Sequence, residues 1–167
     1  MLLFLDIDGT LLPYGAAEPY PAYETPFERG AAHPLLSRVD PGLGRRLLAL
    51  GCELVWATSW LDEANDVMAP WLGLPSLPVV DWPEEAGQPG MLHWKTRPLV
   101  AWAAGRPFVW LDDEITAADR DWVAAHHPGR ALLHRVDHRV GLTDADFASV
   151  AGWLTASVSG RGGSAGP

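Results

Sequence analysis

What constrains this chain most is a set of four short runs dominated by Leu, Val and aromatic residues, at 2–5, 53–57, 108–111 and 131–136, with amphipathic stretches between them. That alternation predicts an α/β architecture around a mostly parallel, buried sheet. A weaker run at 77–80 contains Pro78, which cannot donate to a ladder and so suits an edge position. Asp40 and Pro41 open a helix as cap and first helical residue; Leu43, Leu47, Leu48 and Leu50 supply its apolar face and Gly51 ends it. Further helices are expected over 61–68, 96–104, 116–126 and 143–156. The last has Thr143 as cap and a stripe of Phe147, Val150, Ala151 and Leu154.

A chain of 167 residues, 48% of them hydrophobic, has enough material for one core without staples. Its single cysteine, Cys52, excludes an internal disulfide and Cys-rich zinc scaffolds. The first apolar run stops at Asp6 with no basic flank or cleavage site, so neither a signal peptide nor a membrane anchor is expected, and the location expected is the cytoplasm. The 12 basic residues against 21 acidic ones give a net charge of −9. Such a field repels phosphate backbones, which counts against a dedicated nucleic-acid binder. Nucleic acid then enters only as a substrate whose end is processed beside a local cation. The sequence leaves the oligomeric state open.

Two segments depart from the α/β rhythm. Residues 12–40 carry Pro13, Pro19, Pro21, Pro26 and Pro34 among Tyr14, Tyr20, Tyr23 and Phe27. So long an irregular loop reads either as a flap over a site or as a surface excursion packed on its own aromatics. Residues 157–167 are rich in Gly and Ser and are expected to be a disordered tail after a domain spanning 1–156.

Three of the predicted strands end in residues that phosphate chemistry uses: Asp6, Asp8, Gly9 and Thr10 after the first, Thr58 and Ser59 after the second, Asp112 and Asp113 after the third. Parallel strands present their carboxyl ends along one edge, so these groups converge. Four carboxylates meeting there need a cation, and a hard divalent ion suits an all-oxygen set better than the scattered histidines do; Mg²⁺ is the ion expected.

Asp6-Ile7-Asp8-Gly9-Thr10-Leu11 resembles motif I, D-x-D-G-T-L, of the haloacid-dehalogenase-like (HAD) hydrolases, and Thr58, Lys95 and Leu111-Asp112-Asp113 resemble motifs II, III and IV in the family's order. The resemblance covers roughly residues 1–126 and implies a Rossmann-like three-layer α/β/α domain. It also implies roles. Asp6 is the nucleophile that forms an aspartyl-phosphate, and Asp8 protonates the leaving oxygen and then activates water. Thr58 and Lys95 hold the phosphoryl group, with Gly9, Thr10 and Ser59 beside it, Ser59 having helix capping as its alternative use. Mg²⁺ is held by Asp6, the backbone carbonyl of Asp8, Asp112, and Asp113 directly or through water. An Asp at position 8 favours a phosphatase over a dehalogenase. The short intervals between motifs leave no room for a full cap domain, which suits a large or end-phosphorylated substrate.

Trp60 and Trp94, flanking the second and third motifs, are either core filler or stacking groups at the site's mouth. Arg130, Arg135, His138 and Arg139 are either solvated surface charge or a phosphate contact. Two other functions compete: a phosphoacceptor signalling module, whose acidic pair would come first and acceptor Asp later, and a catalytically silent binding domain, although every catalytic residue type is present.

Overall fold

Every side chain of β1 (Leu2–Leu5) is fully enclosed, so this strand needs partners on both edges and layers on both faces. β2 (Glu53–Trp56) pairs parallel to it on one edge and β3 (Phe108–Asp112) on the other, and β4 (Ala131–Arg135) extends the sheet beyond β3, giving the order β2-β1-β3-β4. The computed structural model describes residues 1–26, 33–83 and 92–159, with side chains through residue 156.

Successive side chains of a strand point to opposite faces. Leu3, Leu5, Leu54, Trp56, Val109 and Leu111 therefore meet one layer, formed by α1 (Gly42–Ala49), α2 (Glu63–Leu72) and α5 (Asp144–Ser159). Leu2, Phe4, Val55, Phe108 and Trp110 meet the other, formed by α3 (Thr96–Ala103) and α4 (Ala117–His126). This is the three-layer Rossmann-like arrangement expected. Full burial of a large apolar side chain contributes roughly 1.5–3 kcal/mol, against about 0–1 for a surface ion pair, so the apolar runs decide the fold. Gly44 lets α1 and α2 approach closely, since a Cβ there would run into the carbonyl of Leu72.

Element ends differ from expectation for local reasons. Leu61 has φ 50, a left-handed conformation that cannot continue a helix, so α2 starts at Glu63 and runs on to Leu72. Ala104, with φ 49, stops α3 one residue early. α1 starts at Gly42 with Pro41 in the cap position, one residue later than expected, and the Asp40 side chain just ahead of it accepts from the Gly42 amide at 2.8 Å. The run 77–80 makes a single parallel bridge, Val79 to Trp56 at the outer edge of β2, and is not a full strand; Asn65 holds it by exchanging two hydrogen bonds with the Leu77 backbone. α5 extends to Ser159, three residues into the stretch expected as tail, and residues 160–167 lie outside the described ones. Between β1 and β2 the described residues of 12–40 form only a 3₁₀ turn, Leu36–Arg38, ahead of α1. Among the described residues no cap-sized insertion is present, and no helix is long and apolar enough to cross a membrane.

The chain leaves β1 for β2 on one side and crosses back over β1 to reach β3. A crevice opens at the carboxyl ends of neighbouring strands whose connections diverge in this way. Here it lies between β1 and β3.

Candidate active site

Register and strand parity assemble the centre of the site. Leu5 pairs with Leu111, so Asp6 and Asp112 are the next residues on adjacent strands, and both fall on the face occupied by Phe4 and Trp110. That face is the one covered by α3, whose amino end carries Lys95. The lysine ammonium donates to Asp6 Oδ1 at 2.6 Å and to Asp112 Oδ2 at 2.8 Å, and all three side chains are buried. Asp113 joins them: one carboxylate oxygen each from Asp6, Asp112 and Asp113 lie within 4.8 Å of one another.

Three buried carboxylates face one ammonium, and the electrostatics register the shortfall. Burial is the largest influence on Asp6 and pushes its pKa up to about 8, with Asp112 adding to the rise and Lys95 opposing it. Asp113 is raised as well, by burial and then by Asp112. Burial works against the charge on Lys95, but Asp6 and Asp112 outweigh it and hold its pKa above the usual lysine value. The donor set, all hard oxygen and short of positive charge, fits a hard divalent cation.

Asp8 is placed differently. Its side chain is exposed, lies outside the carboxylate cluster, and accepts from the Trp60 indole N–H at 2.9 Å. Of the four carboxylates expected to converge, that of Asp8 is the one outside the cluster, and the use expected of Asp8 toward a metal is through its backbone carbonyl. Gly9, at φ 75, takes a conformation that favours glycine, and a Cβ there would overlap the Asp113 carboxyl group. The close approach at Gly9 is thus to a member of the cluster.

Thr58 is fully enclosed just past β2; its hydroxyl accepts from the Trp60 amide at 3.3 Å, and its carbonyl accepts from Trp82 Nε1 at 2.9 Å. Ser59 is exposed and lines a cleft with Asp8; α2 starts beyond Asp62, so Ser59 does not cap it. Thr10 is buried, and its hydroxyl has no hydrogen-bond partner among the described residues. Trp94 packs edge-on against Trp82, with the Lys95 ammonium 5.4 Å from its ring centre.

Several contributors have contacts that the sequence reading did not assign: Tyr14 and Arg135 were named only within the loop and the basic cluster, and Asp119 was not named. The Tyr14 hydroxyl donates to Asp113 Oδ2 at 3.2 Å, and Arg135 Nε donates to the Asp113 carbonyl at 2.8 Å. Asp119, fully buried in α4, accepts from the His93 amide, the Thr96 hydroxyl, and the amide and hydroxyl of Thr116, fixing both ends of the turn that carries Lys95. The T-x-x-D spacing of Thr116 and Asp119 was the available signal.

The family model for the HAD domain in Swiss Army Knife RNA repair proteins matches residues 2–147. The chain belongs to that family. No curated protein and no solved structure matches it. Of the residues read from the sequence as resembling the four motifs, Asp6, Thr58 and Asp112 lie at the carboxyl ends of β1, β2 and β3, and Lys95 bonds to Asp6 and Asp112. HAD proteins are generally hydrolases that use a metal ion, and the buried Asp6, Asp112 and Asp113 cluster accords with that.

Proposed function

We propose that this HAD domain is a Mg²⁺-dependent phosphomonoester hydrolase that works through an aspartyl-phosphate on Asp6 and acts on the terminal phosphate of RNA. The observation that carries the reading is the Lys95 bridge between Asp6 and Asp112 beside Asp113. It supports the reading because a nucleophile at Asp6, the Lys95 cation and a hard-ion site would then share a single buried space. Asp6, Asp112, Asp113 and the carbonyl of Asp8 would hold the ion, which when bound neutralises the phosphate and keeps Asp6 ionised.

The residues then divide the work. An Asp6 oxygen attacks phosphorus as the bond to the leaving oxygen breaks, and the Asp8 carboxyl gives that oxygen its proton. Trp60 fixes one Asp8 oxygen, leaving the other for this transfer. Water then attacks the aspartyl-phosphate, returning its proton to Asp8 and releasing inorganic phosphate. Lys95 spends two N–H bonds on carboxylates and has a third for a phosphoryl oxygen, and the Thr58 hydroxyl serves a second.

RNA as the substrate is supported by the family's description and by a local reversal of charge. Despite the chain's net charge of −9, Arg135 and Arg139 outnumber Asp137 in the lining of a cleft of about 340 Å³ that also includes His138; Arg135 donates to the Asp113 carbonyl and His138 packs on Tyr14, which joins this cleft to the site. Arg130 lies elsewhere, stacked on Trp153.

Hydrolysis of an aryl phosphate and of 5′- and 3′-phosphorylated oligoribonucleotides, with and without Mg²⁺, tests the proposal. Activity should require Mg²⁺ and fall at least about 10³-fold in Asp6→Asn, and oligonucleotide turnover should weaken with added salt. Slow self-phosphorylation without turnover would point to a signalling module, and neither reaction to a binding domain.

A further inference from the structure

Beside Asp8 lies a second cleft, of about 340 Å³, lined by Asp8, Leu12, His33, Ser59, Trp60 and Glu63 together with Leu35. We infer that it is the leaving-group subsite and that it takes the base of a phosphorylated nucleoside, stacked on the aromatic wall of Trp60 and His33. The inference rests on the reading of Asp6 as nucleophile and Asp8 as acid, because whatever fills a cleft that opens on the acid is what departs from phosphorus.

The chemistry of the lining narrows the occupant. Trp60 and His33 contact one another, with ring centres 4.8 Å apart and planes inclined by 48°, and form an angled aromatic wall beside Leu12. Such a surface rewards a planar ring and gives little to a sugar or an aliphatic alcohol. Among the described residues no lysine or arginine lines the cleft, and its two carboxylates, Asp8 and Glu63, would repel a further phosphate. Glu63 and Ser59 offer acceptors, which suit the exocyclic amine and ring N–H groups of a base and the hydroxyls of ribose. A phenol ring has no such donors, which sets a base above a phosphotyrosine side chain. At about 340 Å³ the space is at the small end of ligand pockets, which run roughly 300–1,000 Å³. Trp60 then serves twice, as the N–H that fixes Asp8 and as part of the stacking wall.

The test compares adenosine 5′-monophosphate, adenosine 3′-monophosphate, glycerol phosphate and phosphotyrosine as substrates for the wild type, His33→Ala and Glu63→Gln, with adenosine binding followed by calorimetry. One of the two mononucleotides should exceed glycerol phosphate in kcat/KM by more than about 10-fold. His33→Ala should lower that ratio roughly 5- to 100-fold, mainly through KM, as expected for loss of a stacking group, and Glu63→Gln should lower it too. Equal use of glycerol phosphate, a preference for phosphotyrosine, or a ratio unmoved by both variants would overturn the inference. If no phosphate ester is turned over, the proposed activity fails on its own. Adenosine binding then decides the subsite: weakening in His33→Ala supports it, and absent or unaltered binding overturns it.

Discussion

Gly9 shows how tightly single residues govern this site. Its positive φ and the overlap that any Cβ would make with Asp113 mean that a side chain there must displace a member of the carboxylate cluster. Gly9→Ala should cost about 1–2 kcal/mol in backbone strain and weaken Mg²⁺ binding by calorimetry. Unchanged affinity would show that Asp113 does not contribute to the ion site. At this scale the sequence was informative where chemistry is carried by residue type at a strand end: Asp6, Asp112 and Asp113 cluster as strand ends dictate, and Thr58 follows the neighbouring β2. It was uninformative where a role depends on direction: Thr58 bonds to Trp60 and Trp82, and among the described residues no contact joins it to the Asp6, Asp112 and Asp113 cluster. Nothing in the order of residues says that Asp8 turns away toward Trp60, or that Tyr14 reaches Asp113 across 99 positions of sequence.

Elements enter through the joints between them. Asp119 ties the turn before α3 to the amino end of α4, so the placement of Lys95 depends on a carboxylate that never touches it. Burial alone would raise the Asp119 pKa, but the Thr116 and Thr96 donors outweigh it and hold it below the usual carboxylate value. Asp146 is lowered in the same way by Thr143 and His134 at the start of α5. A carboxylate whose pKa is lower in the folded than in the unfolded chain contributes stability above the unfolded value of 3.8 and loses it as pH falls through the folded one. Thermal midpoints should therefore drop below about pH 4. Asp119→Asn should flatten that drop while costing about 1–3 kcal/mol at neutral pH, because an amide leaves some of the four donors unmatched. An unaltered acid profile in the variant would contradict the assignment. Strands and helices were largely legible because their apolar periods are local signals. Their ends were not where a left-handed residue intervened, as at Leu61 and Ala104, since propensity does not foresee such a residue outside glycine.

Across the whole molecule, the sheet order converts distant residues into neighbours. β1 sits centrally, β2 and its Thr58 lie on one side and β3 with its aspartates on the other, and both helical layers are needed to bury the strands between them. The irregular segment after β1 leaves the site at Tyr14 and returns beside Trp60 at His33, so its described ends border both flanks of the cleft. Residues 27–32 and 84–91 lie outside the described part, and the expected flap falls partly among them. All of this organisation serves one event, the transfer of a phosphoryl group to Asp6. Rapid acid quenching during turnover of a phosphorylated substrate, followed by peptide mapping of the protein, tests that event most directly. The account predicts a base-labile phosphate on Asp6 that disappears in Asp6→Asn; phosphate on another residue, or steady turnover with no phosphoprotein formed, would contradict it.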